Sequence, residues 1–436
     1  MTTQLTPGRA SALLFVAVSL VAMNLRMTIT AVGPLLEDIG ADRDLGPAAL
    51  GLLGSLPLIT WGLVSPLAHT LGARLGMSPA VSWSLVVLAA GTVVRSLPGM
   101  PANLWIGTAL IGVGLAIGNA LLPAVIKRDF PARVPLLMGV YTALLGGTGS
   151  VGAGLAVPIA ELPVGGEPLG WQTALLLMGA PIPIALAFWV AASRRAASSW
   201  SPRPGEGPDG GVPQAGVPQA GVPAGGVPEG GVEAPPRTRA GGGAGRRIWR
   251  DPLAWQVSLY MGTQSAIFYS LSSWLAPYEI ANGQPAVVAG LIVMWFQIVG
   301  IAGSLALPLI ARTDALRRWL PSVLPIFTLL AMIGIGLWPS ATLVWVVIGG
   351  LAGGGSLTMA LTLMAVRART PSDSSALSGM AQSLGYLIAA VGPFAFGALL
   401  GATGGWLAPF AMIWALALAQ SALGASVGRA RFVLDR

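Results

Sequence analysis

The chain is 436 residues long, 54% hydrophobic and only 9% charged, too few polar side chains to cover a water-soluble fold. Cysteine is absent, which excludes a disulfide framework and thiolate metal sites. A net charge of +8 raises nucleic acid as a partner, but the basic residues are spread between apolar segments rather than pooled, so no nucleic-acid surface is expected.

Twelve apolar segments follow one another, at 11–36, 47–70, 79–97, 102–126, 135–160, 171–192, 253–277, 286–310, 320–339, 341–366, 374–400 and 406–427. A helix needs about 20 apolar residues to cross a bilayer, whereas a barrel strand needs about 10, so these segments predict an all-α membrane protein with twelve transmembrane helices. The first segment is too long for a signal-peptide core and is read as a helix. It carries Arg26, the one ionisable group between Arg9 and Glu37. A charge near the bilayer centre costs about 3 kcal/mol on insertion scales, so such residues face a cavity or a partner. None of the other segments carries an Asp or Glu within these bounds. The missing counter-charge points to a negatively polarised cargo.

Between the sixth and seventh segments, residues 193–250 are polar, rich in Gly and Pro, and basic at both ends. GVP triplets recur from Gly211, Gly216, Gly221 and Gly226, a composition that forms no packed core and reads as a flexible tether. The chain therefore divides into an N-terminal six-helix half (1–192), a linker (193–250) and a C-terminal six-helix half (251–436). An even number of helices places both termini on one side. That side then holds all but three of the 24 Lys and Arg residues, the exceptions being Arg26 within the membrane and Arg43 and Arg95 opposite. Positive charge gathers on the cytoplasmic side, so both termini are expected in the cytoplasm of a bacterial cell. The halves resemble each other: an offset of 240 residues aligns Ile126–Pro131 (IKRDFP) with Val366–Pro371 (VRARTP), Gly139 with Gly379, and Gly152 with Gly392. Parallel halves with a site between them near the midplane describe the major facilitator architecture.

The stretch Asn24-Leu25-Arg26 with Val32-Gly33-Pro34-Leu35-Leu36 resembles the first helix of the cyanate/nitroimidazole transporter family within that superfamily. Further similarity runs through Gly118-Asn119, Leu122-Pro123, Ile126–Pro131 and Gly139-Val140-Tyr141-Thr142. It continues in the second half with Leu253–Val257, Gln264-Ser265, Phe268-Tyr269, Trp274-Leu275 and Leu377–Ser383 with Gly385-Tyr386. The resemblance implies transport of small anionic or nitro-bearing solutes, inward or outward. Two positions depart from it. Met27 stands where the family often has Pro, and Ser65–Gly72, the expected loop after the second helix, has His69 in place of an acidic residue.

Arg26 is the leading candidate ligand, because the forked N–H donors of a guanidinium meet two oxygens of a small planar anion at once. Asn24 lies on another face of the same helix. Gln264 and Phe268, and beside them Ser265 and Tyr269, are spaced i, i+4 and form adjoining stripes of the seventh helix. Gln382 and Tyr386 repeat that spacing in the eleventh helix; Tyr141, Asn119 and Gln297 complete the candidate cavity wall. Trp274 and the tryptophans near segment ends read as anchors at the membrane–water boundary. No nucleophile–base pair or metal-ligand cluster stands out, so neither an enzyme nor a cofactor is expected. The partners expected are a small, anionic solute, the lipid bilayer and a co-transported proton or exchanged anion, with the chain a monomer. The competing reading is a drug efflux transporter of broader range, with a hydrophobic cavity and a structural Arg26.

Overall fold

Backbone groups inside a bilayer find no water, and a helix satisfies them within one segment. The computed structural model, which describes residues 7–199 and 247–435, is accordingly built almost wholly of helices. The first half contains α1 (Pro7–Thr30), α2 (Leu36–Arg43), α3 (Pro47–Leu75), α4 (Met77–Ser96), α5 (Ala102–Asp129), α6 (Val134–Ala160), α7 (Gly170–Met178) and α8 (Pro181–Ser199). The second contains α9 (Pro252–Ala281), α10 (Ala286–Ile310), α11 (Asp314–Leu337), α12 (Thr342–Val366), α13 (Pro371–Thr403) and α14 (Leu407–Val427). Pairing α1 with α2 and α7 with α8 gives six spans in each half. A short hairpin, β1 (Pro163–Val164) and β2 (Glu167–Pro168), joins α6 to α7, with Gly165 and Gly166 at φ +68° and +94° in its turn.

Among the described residues, eleven spans are long and apolar enough to cross a membrane unaided. The twelfth position belongs to α9, which is less apolar because Ser258, Thr263, Gln264, Ser265, Ser270 and Ser272 lie along it, all buried. Its lipid is replaced by other helices, so polar side chains are tolerated there. It also runs past the sequence bound at 277, which brings Glu279 into its last turn, fully buried and accepting a hydrogen bond from Thr342 Oγ1 at 3.0 Å.

The structure places the bend that the sequence left open in the first span, and it corrects two expectations. The first span stays helical through Met27, and its break falls beyond Thr30, where a 3₁₀ turn at Gly33–Leu35 contains Pro34. Residues 65–72 are not a loop but the last turns of α3. The sixth span extends into the expected tether as far as Ser199; the GVP run lies outside the described residues.

The internal repeat is visible in the packing. A Cβ at Gly152 of α6 would lie 2.7 Å from the Met27 carbonyl of α1, and one at Gly392 of α13 would lie 2.7 Å from the Ala266 carbonyl of α9. Gly139 and Gly379, also paired by the repeat, both face open space.

Two faces of the molecule differ. At the face where α1 begins and α14 ends, here the near face, each half has its own core. Val18, Val21, Leu85, Leu122 and Trp189 belong to one, and Val257, Tyr260, Met359 and Leu363 to the other. At the far face a single core spans both halves and includes Leu35, Leu53 and Trp171 together with Trp274, Ile292 and Phe396. There α3 lies along α13, and α6 along α10. The halves are thus closed at the far face and separated at the near one.

Candidate functional site

The cleft between the halves ends at the depth of Arg26, near the middle of the Ala12–Arg43 span. The Arg26 side chain crosses from α1 to the opposite half, where Cζ lies 5.5 Å from the centre of the Phe268 ring and 5.7 Å from that of Tyr269. Both rings belong to α9. A cation over an aromatic face gains about 0.5–2 kcal/mol without using its N–H donors. Among the described residues the guanidinium makes no hydrogen bond or ion pair with protein, and its nitrogens stay accessible. The donors are therefore held in position and left free.

The walls come from both halves. Tyr386 of α13 stacks on Trp61 of α3, ring centres 4.3 Å apart and planes 20° from parallel. Phe268 meets Tyr269 edge to face at 5.2 Å and stacks with Phe296 of α10 at 6.2 Å. Tyr141 of α6 donates its hydroxyl hydrogen to Asn119 Oδ1 of α5 at 3.0 Å, while the Asn119 amide donates to the Leu115 carbonyl at 2.9 Å. Tyr141 and Tyr386 both lie within electrostatic range of Arg26. Gln297 reaches the same depth from α10. A Cβ at Gly149 would lie 3.3 Å from Gln297 Oε1 and 3.4 Å from Arg26 Cβ, so the glycine leaves room for both side chains.

The structure thus brings Arg26, Phe268, Tyr269, Tyr386, Tyr141, Asn119 and Gln297 toward one region. The remaining candidates sit differently. Asn24 is buried in the helix packing of the first half, its amide bonded to the Leu20 carbonyl at 2.8 Å. Gln264 ties α9 to α12 by donating to the Gly353 carbonyl at 3.4 Å, and accepts from Ser265 Oγ at 3.2 Å. Gln382 is exposed, one turn from Tyr386 toward the near face. Trp274 is no boundary anchor: it is buried, donates from Nε1 to the Pro393 carbonyl at 3.0 Å and stacks on Phe396.

Sequence reasoning missed two buried aromatic residues that back the candidate side chains, Trp61 behind Tyr386 and Phe296 behind Phe268. Trp61 lies well inside its span, away from the ends where tryptophan anchors a helix, and that displacement was the available signal. It also placed Arg95 outside the membrane, although the 79–97 segment already contains it. Arg95 closes α4 and is buried, with Nη1 donating to the Thr28 carbonyl of α1 at 2.9 Å.

Residues 14–393 match the Major Facilitator Superfamily. The chain is 32% identical to the 2-nitroimidazole transporter of Escherichia coli K12, covering 97% of each protein. It is 26% identical to the cyanate transport protein CynX of the same organism, over 91% of each. Its fold is similar to the crystal structure of a bacterial homologue of the human lysosomal transporter Spinster, with a TM-score of 0.72, 18% identity, and coverage of 97% of this chain and 95% of that one. With two six-helix halves enclosing a central cleft, and with this similarity over nearly its whole length, the chain is a transporter of the Major Facilitator Superfamily.

Proposed function

We propose that the protein carries a small anionic or nitro-bearing solute by alternating access, with Arg26 as its principal ligand. The observation that carries this reading is a guanidinium at mid-span, propped on two aromatic rings of the opposite half and bonded to no acceptor among the described residues. A carboxylate-like or nitro group offers two oxygens to that fork, and the half-buried rings of Phe268 and Tyr386, backed by Phe296 and Trp61, offer apolar surface to the rest of the solute. The relative named for 2-nitroimidazole transport supports a nitro-bearing solute, and the one named for cyanate transport supports a small anion.

In this reading the near face is cytoplasmic, following the distribution of Lys and Arg, and the arrangement described is open to the cytoplasm. Solute enters the cleft, meets Arg26, and the halves then rock to expose it at the far face. Moving one anion inward against 100 mV costs about 2.3 kcal/mol, and export gains the same amount. Concentrative uptake therefore requires a co-transported proton or an exchanged anion, whereas export does not.

The aromatic walls favour a second reading, a drug exporter of wider range in which Arg26 serves only to pack α1 against α9. Flux assays with purified protein in liposomes separate the two. For cyanate and for 2-nitroimidazole, measured with and without a pH gradient, Arg26→Ala abolishes flux of an anion carrier but leaves a broad apolar exporter active.

A further inference from the structure

Arg95 is a second cation inside the spans, and it is more completely enclosed than Arg26. Only 1% of it is exposed. Its burial depends on Gly107 of α5, where any Cβ would overlap the Arg95 backbone. One guanidinium nitrogen, Nη1, is used on the Thr28 carbonyl. The other two, Nε and Nη2, are buried without an acceptor, and no ion pair reaches Arg95 among the described residues.

Arg95 also lines a cavity of about 20 Å³. Its polar lining, apart from Arg95, is Thr108 of α5 and Tyr269, Ser272 and Ser273 of α9; apolar groups of α1 and α3 complete it. The Tyr269 hydroxyl is itself buried and unpartnered. Arginine has donors and no acceptor, and hydroxyls are free to turn a hydrogen toward a negative centre. A desolvated, unpaired guanidinium is steeply unfavourable, and a negative acceptor relieves it. About 10–15 Å³ of such space holds one water. The cavity therefore admits one species of about that size and is far too small for a nitroaromatic solute.

We infer that Arg95 and the α9 hydroxyls hold a halide-sized anion in this chamber, a site separate from the one at Arg26. Tyr269 borders both, with one face toward Arg26 and a place in the chamber wall. The chamber has walls from both halves, so it is complete only while the far face is closed. A bound halide links the guanidinium of the first half to the hydroxyls of the second and stabilises that closure; opening the far face releases it. The inference rests on the geometry of Arg95 and does not require Arg26 to bind the transported solute.

The test uses the purified full-length protein and bromide. Crystals grown in bromide are expected to give an anomalous peak within hydrogen-bonding distance of Arg95 Nε or Nη2, in wild type and in Arg26→Ala. In solution, replacing gluconate by bromide raises the unfolding temperature of both proteins, and Arg95→Met removes the rise. Tyr269→Phe, which keeps the ring, weakens bromide by about tenfold or more, as expected for loss of a hydrogen bond to a charged group. Should Arg95→Met not fold, the wild-type crystal and Tyr269→Phe still decide the matter. The inference is overturned if wild-type crystals show no bromide at Arg95, or if the bromide shift persists in Arg95→Met. It is equally overturned if the shift disappears in Arg26→Ala alone, which places the halide at Arg26 and leaves the proposed transport reading intact.

Discussion

Replacing Arg26 by lysine keeps the charge but loses the fork, and this separates two kinds of recognition. A hydrogen bond to a charged group contributes about 1.5–3 kcal/mol, so losing one of a bidentate pair lowers solute affinity by about 10- to 100-fold. Direct binding measurements with Arg26→Lys should show that loss, and Arg26→Ala should lose binding altogether; full affinity in Arg26→Lys rules out bidentate recognition. Trp61 acts differently, through area and stacking. Its pair with Tyr386 is worth about 0.5–1.5 kcal/mol beyond burial, so Trp61→Ala releases the half-buried Tyr386 ring and, if all of that energy holds the ring in place for the solute, should raise the KM for a nitroaromatic solute by about threefold to tenfold. A triatomic anion makes little use of the ring, and its KM should stay within a factor of two or so by the same reasoning. Equal effects on both solutes would remove the Trp61–Tyr386 stack from solute recognition. Arg26 was legible in the sequence because charge in an apolar span is conspicuous. Trp61 was marked only by its distance from the span ends and Phe296 not at all, because an aromatic residue in an apolar run looks the same whether it faces lipid, core or cavity.

The helices pack through small residues, and the repeat sorts its glycines into two kinds. Gly152 and Gly392 hold their helices against neighbouring carbonyls, so Gly152→Val or Gly392→Val must push α6 from α1 or α13 from α9. Overpacking of this sort typically costs about 1–3 kcal/mol, and thermal unfolding in detergent should show each variant falling well below wild type. Gly139 and Gly379 face open space, so Gly139→Ala and Gly379→Ala should leave that temperature unchanged or raise it, since alanine gains up to about 1 kcal/mol in helix propensity. A sharp loss of stability in Gly139→Ala would mean that the near-face separation is not as described. Element bounds followed hydropathy closely in most spans. They held for α9 as well, expected over 253–277 and observed over Pro252–Ala281, although its serines and Glu279 lower its apolar character where other helices, not lipid, surround it.

At the scale of the whole molecule, function depends on the far face opening while the near face closes. The sequence has no cysteine, so introduced pairs report without background. A Cβ at Gly54 of α3 would lie 3.5 Å from Ser273 Cβ of α9, a separation at which a disulfide closes. Gly54→Cys with Ser273→Cys should cross-link on oxidation, stop transport in liposomes, and recover on reduction. Undiminished flux through the oxidised protein would exclude rocking between halves. Single cysteines at 139 and 379 should meanwhile react with a membrane-impermeant maleimide applied from the near face.

The sequence by itself determined that the chain crosses a bilayer, that its two halves repeat, and that one arginine sits at mid-depth. These follow from solvation: apolar length, glycine pairing and a stranded charge each leave a one-dimensional trace. Tertiary structure decided the rest. Whether Gln264 lines the cleft or ties two helices, and whether Arg95 lies outside the membrane or beneath the far gate, depends on which helices meet across the halves. Those meetings join residues far apart in the chain, as Arg95 meets Thr28 and Trp61 meets Tyr386, and no local pattern records them.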